Sequence, residues 1–427
     1  MSELSIGSFQ LSLAAVLVFG LLAATSALAV HKTAAVYHDG LRTSVPELWL
    51  NQRPRVDLAK YSYAIGIGFV LAYALPYSLA TGIMVIHIIL LSSDVLGLWF
   101  QRTWTVLAAS FAFGAVATVV IAAAAFGMQH LPDYEGALQA MFAPVAATFP
   151  FLVAVAIAHQ FGVRWGAAAA VLTLAAWRLL ETALTGSDHS LSAKSGALTL
   201  GLMTLGLVAS AFTGPRNPPV GDQLYAEGVK RVHRHWPYLV LPPVLITVAA
   251  SQGWLAGEPL QLVLLAVGSH EAAAAVAFYS VVAFIPLIAM SSTVSGVWNQ
   301  DGYPDWYLGA GYLVREPVGA VAAGLALVAV ELGSLRRVMH LLMTRPRLHG
   351  IGSAARDALD VVPGVSILAG AVVAASGLGG VIGAGIVVVL YAFNEAKGRP
   401  IMPMAVPVFG FLSVALTSDA LQTLGLG

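Results

Sequence analysis

The sequence predicts an all-α, polytopic membrane bundle, and three observations carry that expectation. Of 427 residues, 58% are hydrophobic and only 10% charged, against about 25% charged in ordinary soluble domains. The apolar runs are long and unbroken, with a mean hydropathy of +0.82; a membrane barrel would instead alternate in segments of about ten residues. Residues 361–393 and 401–418 contain no Lys, Arg, Asp or Glu, yet Asn394, Glu395, Lys397 and Arg399 stand between them. Hydrocarbon cannot satisfy exposed polar groups, so this junction belongs at a membrane surface or in a protected cavity. About 10–14 transmembrane elements follow, with broken or re-entrant helices and a possible internal repeat.

Taken in order, Phe9 to Val30 is the first span. It ends in Ala27-Leu28-Ala29, but the stretch before it carries Glu3 and no Lys or Arg, which argues against a cleaved signal. The next thirty residues hold Lys32, Arg42, Arg53, Arg55 and Lys60, a basic excess expected of a cytoplasmic loop, so the N-terminus is predicted to be periplasmic. Residues 61–101 make two helices, interrupted near Pro76 to Gly82. Spans over 103–127, 141–161, 165–184 and 197–212 follow, separated by an acidic external loop at 129–139 and by Arg164 inside. The 213–236 segment, with Arg216, Lys230, Arg231 and Arg234, reads as a cytoplasmic linker between an N-terminal half (1–212) and a C-terminal half (237–427).

In the second half, 237–256 crosses outward, and 260–298 is two spans or a broken hairpin. Trp298 to Tyr312 reads as an external interfacial aromatic belt. Residues 318–335 return to a basic loop at 336–356, 361–393 folds as a hairpin about Gly377 to Gly380, and 401–422 exits. On this layout all but three of the 21 basic residues lie inside: Lys194 and Arg315 fall outside and Arg178 within a span. The elements number about fourteen.

The 21 basic residues balance the 21 acidic ones, so charge points to no nucleic-acid partner. The absence of Cys excludes disulfides, Cys-based zinc sites and thiol chemistry. Enzyme signatures fail: His270-Glu271 lacks the second His of HExxH, Thr293 precedes Ser295-Gly296 where a serine protease of the membrane needs Gly, and no phosphate loop or dinucleotide fingerprint exists. No cofactor is expected beyond a coupling proton or sodium ion.

The run His31 to Arg42 (HKTAAVYHDGLR), the Gly311-Tyr312-Leu313 turn before a span containing Glu331, and Asn394-Glu395 with Gly398-Arg399-Pro400 resemble the YhfT family of bacterial inner-membrane proteins. The resemblance runs nearly end to end, with Thr43 where the family pattern has Pro. It implies a transporter whose substrate is not established, and it assigns no residue.

The residues themselves suggest candidates. His38, Asp39 and Arg42 in one half, and Asn394, Glu395 and Arg399 in the other, share an order of polar group, carboxylate, glycine and arginine. They can be matching elements of a repeat that line one solute or ion path, with Arg as an anion fork and the carboxylate holding a cation or proton. The alternative is that both are loop ends with snorkelling side chains. Asp94 lies seven residues after His87, nearly on one helix face, and the two can form a proton-responsive pair unless Ser92 and Ser93 end the helix. Arg178 and Glu181 are spaced as an ion pair, and His159 reads as interfacial. Glu271, a carboxylate in an otherwise uncharged block, is either a relay in a pathway or part of a loop. Gly379 and Gly383 form a GxxxG suited to close helix packing. The expected function is secondary active transport of a small polar or anionic metabolite across the bacterial inner membrane, proton- or sodium-coupled. The alternatives are a channel or facilitator, or a non-transporting subunit of a membrane complex. The partners are the solute and the bilayer, with a homodimer as an open alternative.

Overall fold

The computed structural model describes residues 12–41, 44–49, 52–131, 133–186, 191–218, 223–299, 304–399, 401 and 403–423. It is all-helical apart from four two-residue strands. Among the described residues, eight helices are at least 18 residues long and apolar enough to cross a membrane, and Ile86–Trp99, Trp236–Ser251 and Val406–Ala420 are shorter apolar ones.

The chain opens with α1 (Leu13–His31), strand β1 (Ala35–Val36), the short helix α2 (Val45–Trp49), and then α3 (Arg55–Phe69) and α4 (Leu75–Thr81). Between α3 and α4 the helix widens into a π turn over Val70–Ala74. Pro76 supplies the reason, since it has no N–H to return to the preceding turn. Gly82, with φ of 72°, ends α4 in the left-handed region. Strand β2 (Met84–Val85) leads directly into α5 (Ile86–Trp99), and α6 (Thr103–Gln129) follows. Next come α7 (Tyr134–Thr148) and α8 (Leu152–Phe161), which form one kinked rod, then α9 (Val163–Thr185) and α10 (Ala193–Phe212). A linker helix α11 (Gln223–Arg234) separates this series from α12 (Trp236–Leu239), α13 (Leu241–Ser251), β3 (Leu255–Ala256), α14 (Pro259–Ala266) and α15 (His270–Ser295). The remainder is β4 (Trp298–Asn299), α16 (Pro304–Val314), α17 (Pro317–Thr344), α18 (Arg347–Ala396) and α19 (Val406–Thr423).

The two series are copies of one unit. Strand β1 pairs in parallel with β4, and β2 with β3, so each strand of one series pairs crosswise with the other series. The hydrogen bonds around the strands repeat residue for residue. Gly82 N donates to Ser78 O at 2.8 Å, and Gly296 N to Ser292 O at 2.9 Å. Ile83 N donates to the Thr81 hydroxyl and Val297 N to the Ser295 hydroxyl, both at 3.2 Å. Met84 N reaches Trp254 O at 2.9 Å, as Trp298 N reaches Ala34 O at 2.9 Å. At the exits of α1 and α13 the equivalent left-handed residues are Thr33 (φ 54°) and Gly253 (φ 69°). Thus α1 matches α13, α3–α4 matches α15, α5 matches α16 and α6 matches α17; three further helical elements follow in each copy.

An internal repeat therefore exists, but not between the motifs from which it was expected. The 31–41 segment matches 251–261, not 394–399. Two other expectations are corrected. Residues 260–298 are a fully buried eight-residue helix, α14, followed by the single long helix α15. Of the predicted interfacial belt, Asp301 and Tyr303 lie outside the described residues, and Trp298, Tyr307 and Tyr312 are buried in the core instead, because α16 packs among α13, α15 and α17. The expected hairpin in α18 is present, with non-helical Gly379 and Gly380 (φ 58°) at its bend. Gly383 lets the returning arm touch the backbone of Ala375.

Packing sorts the helices into two bundles, each containing parts of both copies. In one, α1 packs on α5, α6 and α13, and α13 packs on α16 and α17. In the other, α18 packs on α7, α8 and α19, with α9 and α10 outside. The seam runs through α15 against α18 and α10, and α14 against α7. Buried tyrosine hydroxyls cross it: Tyr77 donates to Met404 O at 2.6 Å, Tyr134 to Ala80 O at 3.0 Å and Tyr279 to Leu152 O at 3.3 Å.

The repeat also fixes where glycine is required. A Cβ added to Gly97 would lie 2.5 Å from Ala27 O of α1, and one added to Gly311 would lie 2.5 Å from Thr247 O of α13. Overpacking of this kind costs about 1–3 kcal/mol. Gly97→Ala and Gly311→Ala should each lower the melting temperature of the purified protein, whereas Gly201→Ala, where an added Cβ meets nothing within 4 Å, should not. Melting of all three at one temperature would refute the close-seam assignment.

Candidate functional site

Where each copy leaves its first helix, the chain turns inward and exposes backbone N–H groups that water does not reach. In the first copy Asp94, buried on α5, takes them. Its carboxylate accepts from Tyr37 N at 3.0 and 3.1 Å and from His38 N at 2.7 Å. Such charge-assisted bonds are the strong ones. The His38 ring turns the chain further, its Nδ1 accepting from Gly40 N at 2.9 Å. Arg55, at the start of α3, closes the same corner by donating to His31 O at 2.9 Å and Gly97 O at 3.1 Å, the last carbonyls of α1 and α5. Of the predicted residues, His38 and Asp94 thus meet. Asp39 begins a short 3₁₀ turn, its side chain and Arg42 lying outside the described residues. Ser92 and Ser93 do not end α5, which runs unbroken through both. His87 and Asp94 are two turns apart, about 10 Å, with the His87 ring against Phe69 and Tyr73 at centroid distances of 4.9 and 5.7 Å.

The second copy solves the same problem with different side chains. Gly257, the counterpart of Tyr37, donates its N–H to Gln261 Oε1 at 3.2 Å, and Gln261 Nε2 donates to Asp305 Oδ1 at 2.5 Å. Tyr312 donates to Leu255 O at 2.9 Å and to Gln261 Oε1 at 3.3 Å. Tyr73 of the first copy donates to Gly257 O at 3.1 Å. The counterpart of Asp94 is Leu308, and the carboxylate has moved one turn earlier on the half-helix, to Asp305, with Gln261 spanning the gap. Gln261, Asp305 and Tyr312 are all buried. Sequence reasoning assigned Asp305 to a surface belt and passed over Gln261; the available signal was one amide inside the uncharged run Pro259 to Ala266. One face further round α16, Tyr307 donates to the buried Glu331 carboxylate of α17.

The other candidates are placed apart from this pair of turns. Asn394 is buried and closes the turn after α18, its Nδ2 donating to Ile401 O at 2.8 Å and its Oδ1 accepting from Ile401 N at 3.0 Å. Arg399 Nε donates to Glu395 Oε2 at 2.9 Å in an exposed pair, and Gly398 and Arg399 both have positive φ. These bonds are local to 394–401, and none of them reaches the 31–41 turn. Glu271 stands in the first turn of α15, exposed, beside a groove it shares with Lys194. Glu181 is buried and accepts from the hydroxyls of Ser192, Ser195 and Thr185, joining α9 to α10, while Arg178 is exposed. His159 Nδ1 lies 3.7 Å from Asp357. No group of three metal-ligating side chains occurs among the described residues.

The linker helix α11 reaches both copies. Arg231 Nη2 donates to the Thr33 hydroxyl at 3.1 Å, and Gly228 lies so close to α15 that a Cβ there would overlap Thr293 O. Partial burial, and next the positive charge of Arg234, lower the Arg231 pKa from its ordinary value.

A bundle of long apolar helices, interrupted by buried extended pairs and capped by buried carboxylates, defines a multi-pass helical membrane protein built from a duplicated unit. Comparison with known proteins supplies the family. The YhfT family, described as a protein of unknown function, matches residues 15–426, and the chain belongs to it. It is similar to the uncharacterized protein YhfT of Escherichia coli (strain K12), at 26% identity over 433 residues that cover 96% of this chain and 98% of that protein. No solved structure matches.

Hydrogen bonds to a charged group contribute about 1.5–3 kcal/mol. Asp94→Asn turns one acceptor oxygen into a donor facing backbone N–H groups, so it should destabilise the fold by about that much and speed hydrogen exchange at the Tyr37 and His38 amides. Unchanged exchange at both would show that Asp94 does not hold the turn.

Proposed function

We propose that this protein is a secondary active transporter of a small polar or anionic metabolite in the bacterial inner membrane, driven by protons or sodium. The observation that carries the reading is the crosswise pairing of the broken elements of two copies, β1 with β4 and β2 with β3. Transporters built from internal repeats place solute and ion sites where discontinuous helices of the two repeats meet, because exposed backbone groups and helix ends can coordinate there. Two copies whose broken elements pair crosswise fit an inverted repeat, in which the second copy runs through the bilayer in the opposite sense. The basic excess in the loops around 31–60, 213–236 and 336–356 supports a periplasmic N-terminus.

In this reading the two bundles rock against each other across the α15–α18 seam, beside the paired strands of the first bundle. Tyr73, Gln261 and Asp305 converge on the second turn, and Asp305 is the candidate ion-carrying carboxylate. A channel or facilitator would need no such movement, and a subunit of a larger complex would carry no solute. The reading requires no cofactor and no enzymatic step, and a homodimer is compatible with it.

The chain contains no Cys, which allows clean disulfide trapping. Ala283 and Gly352 face each other across the seam in one pocket, where a Cβ on Gly352 would lie 2.8 Å from the Pro286 ring and 3.3 Å from Ala283 O. Ala283→Cys with Gly352→Cys, oxidised in proteoliposomes, should abolish gradient-driven uptake, and reduction should restore it. Full uptake by the cross-linked protein would eliminate rocking at this seam; non-concentrative flux would favour the facilitator.

Orientation has its own test. Single cysteines at Arg234 and Arg347 should be protected from an impermeant thiol reagent in intact cells, and one at Arg315 should react. Labelling at Arg234 or Arg347 would reverse the layout.

A further inference from the structure

We propose that the groove between α10 and α15 holds one acyl chain of an ethanolamine phospholipid, with Lys194 at its phosphate and Glu271 at its ammonium. This goes beyond the transport reading and requires only that the helices lie in a bilayer. The groove has a volume of about 570 Å³, and its lining contains two charged residues, Lys194 and Glu271. Both stand in the first turn of their helices, so both charges sit at one end. Below them the walls are apolar or small, including Gly201, Ala274 and Phe278.

Dimensions choose the occupant. From Lys194 to Val208 the groove follows α10 for about 21 Å at 1.5 Å per residue, enough for a headgroup and the roughly 15 Å of one hydrocarbon leaflet. A helix from a second copy, about 10 Å across, has about 1,600 Å³ over that length, so it could only cover the mouth of a groove of about 570 Å³ and not lie within it. A single chain is the shape that fits. The end charges then choose the headgroup. Lys194 offers N–H donors to a phosphate, and Glu271 accepts N–H donors from a primary ammonium. A choline headgroup has no N–H to give, and a glycerol headgroup has no cation for Glu271.

The test uses the full chain purified in detergent, with dioleoyl phosphatidylethanolamine, phosphatidylcholine or phosphatidylglycerol added at equal concentration. The ethanolamine lipid should raise the melting temperature most, as a ligand of the folded state does, and native mass spectrometry should retain one copy of it. Glu271→Gln should remove its advantage over the choline lipid, lowering its apparent affinity by about tenfold. Lys194→Ala should weaken all three lipids. Gly201→Leu projects into the groove from a position where an added Cβ meets nothing within 4 Å; it should abolish lipid retention and leave lipid-free melting unchanged. Equal stabilisation by the three lipids, an ethanolamine advantage that survives Glu271→Gln, or a lipid-free dimer that Gly201→Leu dissociates would each overturn the proposal.

Discussion

The structure depends on one constraint: a chain inside hydrocarbon must find a partner for every backbone N–H and C=O it removes from a helix. Continuous helices meet this automatically. The two places where the chain turns inward after a first helix do not, and there the solution is explicit. Short strands pair with each other, and a carboxylate on the adjoining half-helix receives the remaining N–H groups, directly at Asp94 and through Gln261 at Asp305. An unpaired buried N–H would cost about 1–3 kcal/mol, so these carboxylates are structural before they are anything else.

Duplication explains why the turns face each other. Because β1 pairs with β4 and β2 with β3, neither copy completes its own break, and the copies hold each other shut. The linker helix adds a third tie, with Arg231 on Thr33 of the first copy and Gly228 against α15 of the second. The same interleaving makes two bundles of mixed origin, joined along a seam where tyrosine hydroxyls meet backbone carbonyls. A seam held by a few directional bonds between well-packed bodies is suited to having more than one arrangement, which a transporter needs.

The divergence between the copies is informative. Where the first places a carboxylate on the turn, the second places Leu308, and recruits Gln261, Tyr312 and, from the first copy, Tyr73. The second turn is thus the richer in hydroxyl and amide groups, while both turns pair with the other copy.

By itself the sequence determined the membrane class, the helical fold, the hairpin at Gly379 and Gly380 and the family, because each rests on local composition, apolar length or contiguous motif. It also singled out Asp94, since a charge in an apolar run is costly wherever it points, and His38, through the polar motif it shares with Asp39 and Arg42. The tertiary structure alone decided the rest. Hydropathy could not separate the buried α14 from a span, because both are apolar, nor recognise α16 as core, because the tyrosines of a core helix and of an interface look alike in sequence. The true repeat escaped notice because it is carried by backbone geometry: Thr33 matches Gly253 and Asp94 matches Leu308, so the copies share hydrogen bonds while differing in side chains. Asn394 and Arg399 shared a residue order with the first turn but not its surroundings, and only packing could distinguish the two.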